Sequence, residues 1–163
     1  MEKESIKSKV NPIIGITIGD INGIGPEVII KSLENQNILN QFTPVIYGSS
    51  KVISYYRKAL DVPDFNFNLI KSLDNVQHRK VNILNCWEED VEITPGASTE
   101  VGGKYAFISL EKATKDVTSG HLDAIVTAPI NKHNIQNENF NFPGHTEYLT
   151  DIVGKSESLM FLV

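Results

Sequence analysis

The sequence predicts an α/β fold with a mainly parallel β-sheet. Runs of β-branched and aliphatic residues alternate with stretches of helical periodicity, and glycine or proline marks the junctions between them. The first run, residues 12–18, is almost continuously apolar, which is typical of a strand covered on both faces. Because parallel strands need crossover connections, this alternation favours helices packed against a sheet.

The elements are expected in the following order. The first strand ends at a glycine-rich turn, and Pro26 begins a helix that runs to residue 34, since proline at the first helical position gives up no hydrogen bond. A strand at 44–47 leads to a helix at 49–60, whose opening serines suit N-capping. The later elements are a short strand at 67–70, a strand at 80–85, a helix that Ser98 or Thr99 caps and that ends at 119, a buried strand at 123–127, a helix from about 145 and an apolar strand at 159–163.

Two stretches of this pattern are unusual for a compact domain. The connection at 85–102 is long and acidic, and such connections are commonly functional, so we expect a lid or a dimer arm. The apolar strand at 159–163 has no turn or polar cap behind it. We expect the native chain to continue beyond this strand, with a natural C-terminal strand as the alternative.

Composition and charge exclude several classes of protein. The net charge of −5 and a pI of about 5.3 give no basic surface for nucleic acid. The single Cys86 excludes an intrachain disulfide or a zinc site built from cysteines, and fits a reducing cytoplasm. No apolar run approaches the roughly 20 residues that span a bilayer, and residues 1–11 form a polar tail without a signal-peptide core. We therefore expect a cytoplasmic protein without nucleic-acid or membrane partners.

The turn at residues 19–27, Gly-Asp-Ile-Asn-Gly-Ile-Gly-Pro-Glu, is the first candidate site. Its glycines allow close backbone approach, and the helix after it presents N–H groups that suit an anion. It is not a dinucleotide fingerprint, because no third glycine follows Gly23 and Gly25, and Glu27 brings a negative charge to the place of the pyrophosphate. From the residues alone, a tight turn without a ligand is the favoured interpretation.

Two further segments carry candidate binding residues. Residues 127–132 follow a predicted strand, and ligands bind at the carboxyl ends of strands in open α/β sheets, so Lys132 is a candidate anion partner. A solvated surface lysine explains it equally well. In residues 143–147 a glycine precedes His145 and Thr146 at a predicted helix start, which suits a phosphate or hydroxyl group. The alternative is a threonine-capped helix with an exposed histidine.

Other candidate motifs do not meet the requirements of their chemistry. Residues 102–104, Gly-Gly-Lys, lack the first glycine and the hydroxyl residue of a phosphate-binding loop. The four histidines show no metal-binding spacing. Cys86 beside Trp87 has no histidine pattern to support a nucleophile, and we expect a buried cysteine.

Three of these segments, taken in order, resemble one known family. Residues 16–27 resemble the ITPGDPAGIGPE opening of the 4-hydroxythreonine-4-phosphate dehydrogenase (PdxA) family, residues 127–132 resemble its TGPVHK segment, and residues 142–147 its FTGHTE segment. The chain departs from the pattern at Ile18, Ile21, Asn22, Ala128 and Asn131. The opening is also similar to the GDGIGPE start of isocitrate and isopropylmalate dehydrogenases.

The resemblance implies a fold and a chemistry. It implies the α/β/α layers of the isocitrate and isopropylmalate dehydrogenases, with 12–163 as the N-terminal portion of a two-domain enzyme whose C-terminal half is absent. The implied activity is the NAD-dependent oxidation and decarboxylation of 4-phosphooxy-L-threonine in pyridoxal phosphate biosynthesis by a homodimer. A divalent metal ion is implied, with its ligands expected outside this chain. The isolated chain is expected to be inactive.

The resemblance also implies roles for individual residues. His145 and Thr146 match the family's substrate-binding His-Thr pair, and Lys132 is assigned to the substrate with them. Asp20, Gly23 and Gly25 are assigned to the cofactor, and no catalytic base is assigned. The alternatives are a β-decarboxylating hydroxyacid dehydrogenase of the isopropylmalate type and a non-catalytic binding fragment.

Overall fold

Five parallel strands pair side by side in the order β3-β4-β2-β1-β5. The computed structural model describes residues 11–154 and 157–161. The strands are β1 (Ile13–Thr17), β2 (Thr43–Gly48), β3 (Asn68–Ile70), β4 (Asn82–Asn85) and β5 (Ala124–Thr127). The predicted parallel α/β fold is confirmed.

Four α-helices and two short 3₁₀ helices accompany these strands in the described residues, and the last α-helix follows β5. The α-helices are α1 (Gly25–Leu33), α2 (Ser50–Ala59), α3 (Glu100–Thr118) and α4 (His145–Ile152), and the 3₁₀ helices are Gln36–Asn40 and Leu73–Asn75. Two of the predicted caps are present. Ser49 Oγ accepts a hydrogen bond from the N–H of Lys51, and Thr99 Oγ1 accepts one from the N–H of Gly102 at 3.0 Å.

Helices cover both faces of the sheet, and alternate residues of β2 show how. Ile46 packs in the apolar cluster that includes buried residues of α1 and α2, whereas Val45 and Tyr47 pack in a second cluster with Ala113 of α3. A third cluster joins α3, the segment after β5 and α4 through an aromatic group that includes Phe107. The chain that leaves β5 therefore lies on the α3 side of the sheet, and the chain that leaves β1 lies on the α1 side.

Two predictions about the sheet are wrong. Residues 157–161 form no strand, and the side chains of residues 159–161 are exposed; residues 162–163 lie outside the described part of the chain. An apolar run becomes a strand only when a neighbouring strand pairs with it, and none of the described strands pairs with these residues. The strand at 123–127 is not buried as predicted, because β5 is an edge strand that pairs with β1 and leaves Val126 54% exposed.

The predicted tail lies almost wholly outside the described residues, which begin at Asn11. None of the helices in the described ranges combines the length and the apolar character that crossing a bilayer requires.

Candidate functional site

The candidate site lies where β1 and β5 end side by side. The chain leaves these two neighbouring strands toward opposite faces of the sheet, and such a switch point opens a crevice at the carboxyl ends of the strands. A cavity of about 250 Å³ occupies this position. Its lining comes from the turn after β1, the connection before α3 and the segment after β5, including Asp20, Asn22, Gly23, Ser98, Pro129 and Asn131. The structure therefore brings together the first predicted site and the segment that carries Lys132.

Two glycines allow the close approach of these segments. Gly19 has a φ of +70°, and a Cβ there would overlap the carbonyl oxygen of Pro129, which accepts a hydrogen bond from the N–H of Asp20 at 3.0 Å. Gly25 is buried in the first turn of α1, and a Cβ there would overlap the carbonyl oxygen of Ile18. Gly23 is half-buried and lines the cavity.

Asp20 is held by the chain itself. Its side chain is only 5% exposed, and its two oxygens accept hydrogen bonds from the backbone N–H of Asn22 at 2.9 Å and from Nδ2 of Asn134 at 2.8 Å. The first turn of α3 lies so close that a Cβ at Gly102 would overlap the carboxylate. Asp20 therefore joins the turn after β1 to α3 and to the segment after β5.

Asn22 is a site residue that sequence reasoning noted only as a departure from the family pattern. Its Nδ2 donates to Thr99 Oγ1 at 2.9 Å, its Oδ1 accepts from the N–H of Thr94 at 2.8 Å, and its carbonyl oxygen accepts from the N–H of Gly96 at 2.7 Å. An asparagine in a tight turn can bond neighbouring backbone groups, which was the available signal. The long connection is thus fixed to the glycine-rich turn.

Lys132 and His145 lie beside each other in a second part of the site. The Cε and Nζ atoms of Lys132 lie 3.7 and 3.9 Å from the place that a Cβ at Gly144 would take. His145 is the first residue of α4 and is half-buried, and its Nε2 is buried without a hydrogen-bond partner among the described residues. Thr146 follows it, half-buried, and its carbonyl oxygen accepts from Thr150 Oγ1 at 2.7 Å.

The surroundings of His145 determine its charge. Burial, and then the positive charge of Lys132, lower the pKa of the imidazole below its usual value of 6.5. The imidazole is therefore neutral at pH 7 and can accept a hydrogen bond at one ring nitrogen and donate from the other. A neutral imidazole beside an ammonium group suits a ligand that carries both an anionic group and hydroxyl groups.

The structure also shows the surroundings of the Cys86 thiol and of the side chains that can bind metal ions. Burial raises the pKa of the Cys86 thiol to about 12, so the thiol is protonated at neutral pH and is a poor nucleophile. Within residues 11–154 and 157–161, no three His, Cys, Asp or Glu side chains come together in a metal-binding group.

Comparison with known proteins identifies the family. The family model described as pyridoxal phosphate biosynthetic protein PdxA matches residues 40–163. This chain belongs to the PdxA family. A 4-hydroxythreonine-4-phosphate dehydrogenase of Bacteroides thetaiotaomicron is 45% identical over 151 residues, which are 92% of this chain and 41% of that protein. A protein of Oceanobacillus iheyensis named "Putative D-threonate 4-phosphate dehydrogenase" is 36% identical over 154 residues, 93% of this chain and 46% of its own.

Solved structures of PdxA-family proteins share the fold. The 4-hydroxythreonine-4-phosphate dehydrogenase of Burkholderia phymatum superimposes with a TM-score of 0.78 at 28% identity, covering 90% of this chain and 45% of that chain. The enzyme of the same name from Klebsiella pneumoniae gives a TM-score of 0.72 at 27% identity, covering 86% and 44%. The chain thus spans less than half the length of the relatives it matches.

Asn131 is the departure from the PdxA pattern that the structure explains best. It stands where the family segment has histidine, and it closes the turn that carries Lys132. Its Oδ1 accepts from the N–H of His133 at 2.9 Å, and its Nδ2 donates to Ser98 Oγ at 3.0 Å. The Asn131 amide can hold this turn because it accepts one hydrogen bond and donates another.

Proposed function

We propose that this chain supplies part of the active site of an NAD-dependent dehydrogenase that oxidises and then decarboxylates 4-hydroxythreonine-4-phosphate, a step in pyridoxal phosphate biosynthesis. The juxtaposition of Lys132 and His145 carries the proposal, because it combines a cation and a neutral imidazole at the carboxyl end of the sheet. The names of the relatives supply the substrate: a four-carbon acid with a 4-phosphate and a free C3 hydroxyl group.

The proposed roles on the substrate follow from the chemistry of the side chains. Lys132 would bind an anionic group, phosphate or carboxylate, as a point charge. The unpartnered Nε2 of His145 would hydrogen-bond a substrate oxygen, and Thr146, at the same helix start, would offer a hydroxyl. These are orienting contacts, and they accelerate a reaction by holding the reacting carbon in place.

Part of the cofactor is proposed to enter the cavity at the carboxyl ends of β1 and β5. NAD, when bound, would accept the hydride from the C3 carbon of the substrate. Gly23 lines this cavity and lets a ligand approach the backbone. Asp20 and Gly25 are proposed to act by shaping the turn, because the Asp20 oxygens accept hydrogen bonds from the chain and Gly25 is packed against Ile18.

A divalent metal ion is proposed to take its ligands elsewhere in the native protein. Such an ion, when bound, would polarise the oxygen that is oxidised. The described residues contain no group of three metal-ligating side chains, so no residue of this chain is assigned to it. The 163-residue chain alone is expected neither to bind zinc or magnesium at sub-micromolar concentration nor to form NADH, which calorimetric titration and absorbance at 340 nm measure.

We also propose a cytoplasmic homodimer for the native-length protein. The single half-buried Cys86 fits a reducing compartment, and the acidic connection before α3 offers exposed residues such as Glu92 that could reach a second copy. Light scattering that showed only monomer at micromolar concentration would contradict the dimer.

The activity is tested on the protein isolated from its native source, whose intact mass gives its length. NADH formation is compared for 4-hydroxythreonine-4-phosphate, D-threonate 4-phosphate and 3-isopropylmalate. The first is expected to have the highest kcat/KM, because the relative named for it is 45% identical and the relative named for D-threonate 4-phosphate is 36% identical. A preference for D-threonate 4-phosphate would select that second candidate, and a preference for 3-isopropylmalate or no turnover would contradict the proposal.

Two variants of the active protein test the site. His145→Ala is expected to lower kcat/KM about tenfold or more, equivalent to about 1.4 kcal/mol of transition-state stabilisation. His121→Ala is the matched control, because His121 is an exposed histidine that precedes β5, at the opposite end of this strand from the site. Equal kinetics in the two variants would refute the role of His145.

A further inference from the structure

The turn at residues 131–134 connects the two parts of the site. Asn131 lines the cavity at the carboxyl ends of β1 and β5, and Lys132, the next residue, reaches Gly144 at the start of α4. The backbone N–H of Ile135 donates to the carbonyl oxygen of Asn131 at 3.2 Å and closes the turn. The position of the Lys132 side chain therefore depends on how the two ends of this turn are held.

Side-chain hydrogen bonds hold both ends of the turn. At one end Asn131 Nδ2 donates to Ser98 Oγ at 3.0 Å. At the other end Asn134 Nδ2 donates to Asp20 Oδ2 at 2.8 Å across 114 residues of sequence. A hydrogen bond to a buried carboxylate is among the stronger kinds, and Asp20 is itself fixed by the N–H of Asn22.

Gly102 and Gly103, which do not form a phosphate-binding loop, lie against the end of the turn that Asn134 holds. A Cβ at Gly102 would overlap the Asp20 carboxylate, and one at Gly103 would overlap the carbonyl oxygen of Asn134. The first turns of α3 thus lie directly against both partners of the Asn134–Asp20 hydrogen bond. The backbone of α3 therefore packs closely against the Asn134–Asp20 hydrogen bond, whose acceptor is a buried carboxylate.

We propose that Asn134 is a positioning residue, whose hydrogen bond to Asp20 fixes the 131–134 turn and so places Lys132 against His145. This inference deepens the proposed function and rests on the binding roles given there to Lys132 and His145. Asn134 acts indirectly, through the turn. Its amide donates to Asp20, whereas the Lys132 side chain, which the same turn carries, lies beside Gly144 at the start of α4.

The test measures the titration of His145 by NMR in the 163-residue chain, and turnover is not needed, so its failure is distinct from a failure of the proposed activity. The charged groups beside Gly144 are Lys132 from the turn and Glu147 from α4. Because the Lys132 charge lowers the pKa of His145, Lys132→Met is expected to raise it. Asn134→Ala, which frees the turn, is expected to raise it in the same direction by a smaller amount. His145→Gln assigns the resonance.

Controls separate positioning from a general loss of structure. Asn139→Ala changes an exposed asparagine five residues along the chain and is expected to leave the titration at its wild-type value. If Asn134→Ala does not fold, Asn134→Ser, which carries a hydroxyl group but is too short to span to Asp20, is the substitute and is expected to give the same upward shift. An unchanged His145 titration in the folded Asn134→Ala chain, or in Asn134→Ser when it serves as the substitute, would overturn the proposal. An unchanged titration in Lys132→Met would overturn it as well.

Discussion

Replacement of Gly103 by alanine tests the contact between α3 and the turn that carries Lys132. A Cβ at this position would overlap the carbonyl oxygen and carbon of Asn134 and lie 2.8 Å from the backbone nitrogen of Ile135. All three neighbours are backbone atoms, which cannot rotate away as a side chain can. Either the start of α3 or the turn must move.

The magnitude follows from two opposing effects. Gly→Ala inside a helix stabilises it by about 1 kcal/mol when the site has room. Overpacking a closely packed position costs about 1–3 kcal/mol. Because the overlap is with fixed backbone, we expect the second effect to exceed the first and the free energy of unfolding to fall by about 1–2 kcal/mol, which lowers Tm by roughly 3–8 °C in a chain of this size.

Urea unfolding followed by circular dichroism measures this change in the 163-residue chain. Glu111→Ala, at an exposed position of the same helix, is the control and is expected to stay within about 0.5 kcal/mol of the wild type. A Gly103→Ala chain as stable as the wild type, or more stable, would show that the helix and the turn are not in the close contact described.

Three further predictions concern single side chains. Ser109→Ala should lower the free energy of unfolding by about 1–3 kcal/mol in urea titrations, because the buried Ser109 hydroxyl donates to the Tyr47 carbonyl oxygen and accepts from the N–H of Ile18. His145 has a lowered pKa in the folded state, so below about pH 6.5 the unfolded chain binds more protons than the folded chain, and the free energy of unfolding decreases as the pH is lowered. His145→Gln should reduce this dependence of the urea midpoint on pH between about pH 7 and 5. Cys86 should react with a disulfide reagent at pH 8 at least tenfold more slowly in the folded chain than in urea, since burial keeps its thiol protonated; equal rates would contradict its burial.

Much of the fold follows from local sequence signals. Apolar runs without polar alternation predicted the central strands, and the capping residues Ser49 and Thr99 marked the starts of two helices. The exposure of Val126 and the absence of a strand at 157–161 could not be predicted, because both depend on which strands lie beside them. Strand neighbours are set by contacts between distant parts of the chain, which local patterns do not encode.

The candidate site, like the fold, could be predicted from the sequence only in part. His145, Thr146 and Lys132 carry recognisable chemistry, and each could be selected from its own segment. Their juxtaposition depends on the turn that holds Lys132, and the residues that hold this turn, Asn134 among them, are neutral amides of a kind found in many loops. Sequence reasoning therefore finds candidate ligand-binding groups more readily than the residues that hold them in place.

The position of β1 between β2 and β5 has a consequence for synthesis on the ribosome. The N–H of Ile13 donates to the Asp123 carboxylate at 2.7 Å, across 110 residues of chain. At roughly 5–20 residues per second, β5 is translated on the order of 5–20 s after β1. During that interval one edge of an apolar strand has unpaired N–H and C=O groups, the kind of edge that templates aggregation. A nascent chain that ends before β5 can form the layer of α1 and α2 on β1 and β2, but it lacks the crevice at the carboxyl ends of β1 and β5, so this crevice is assembled late.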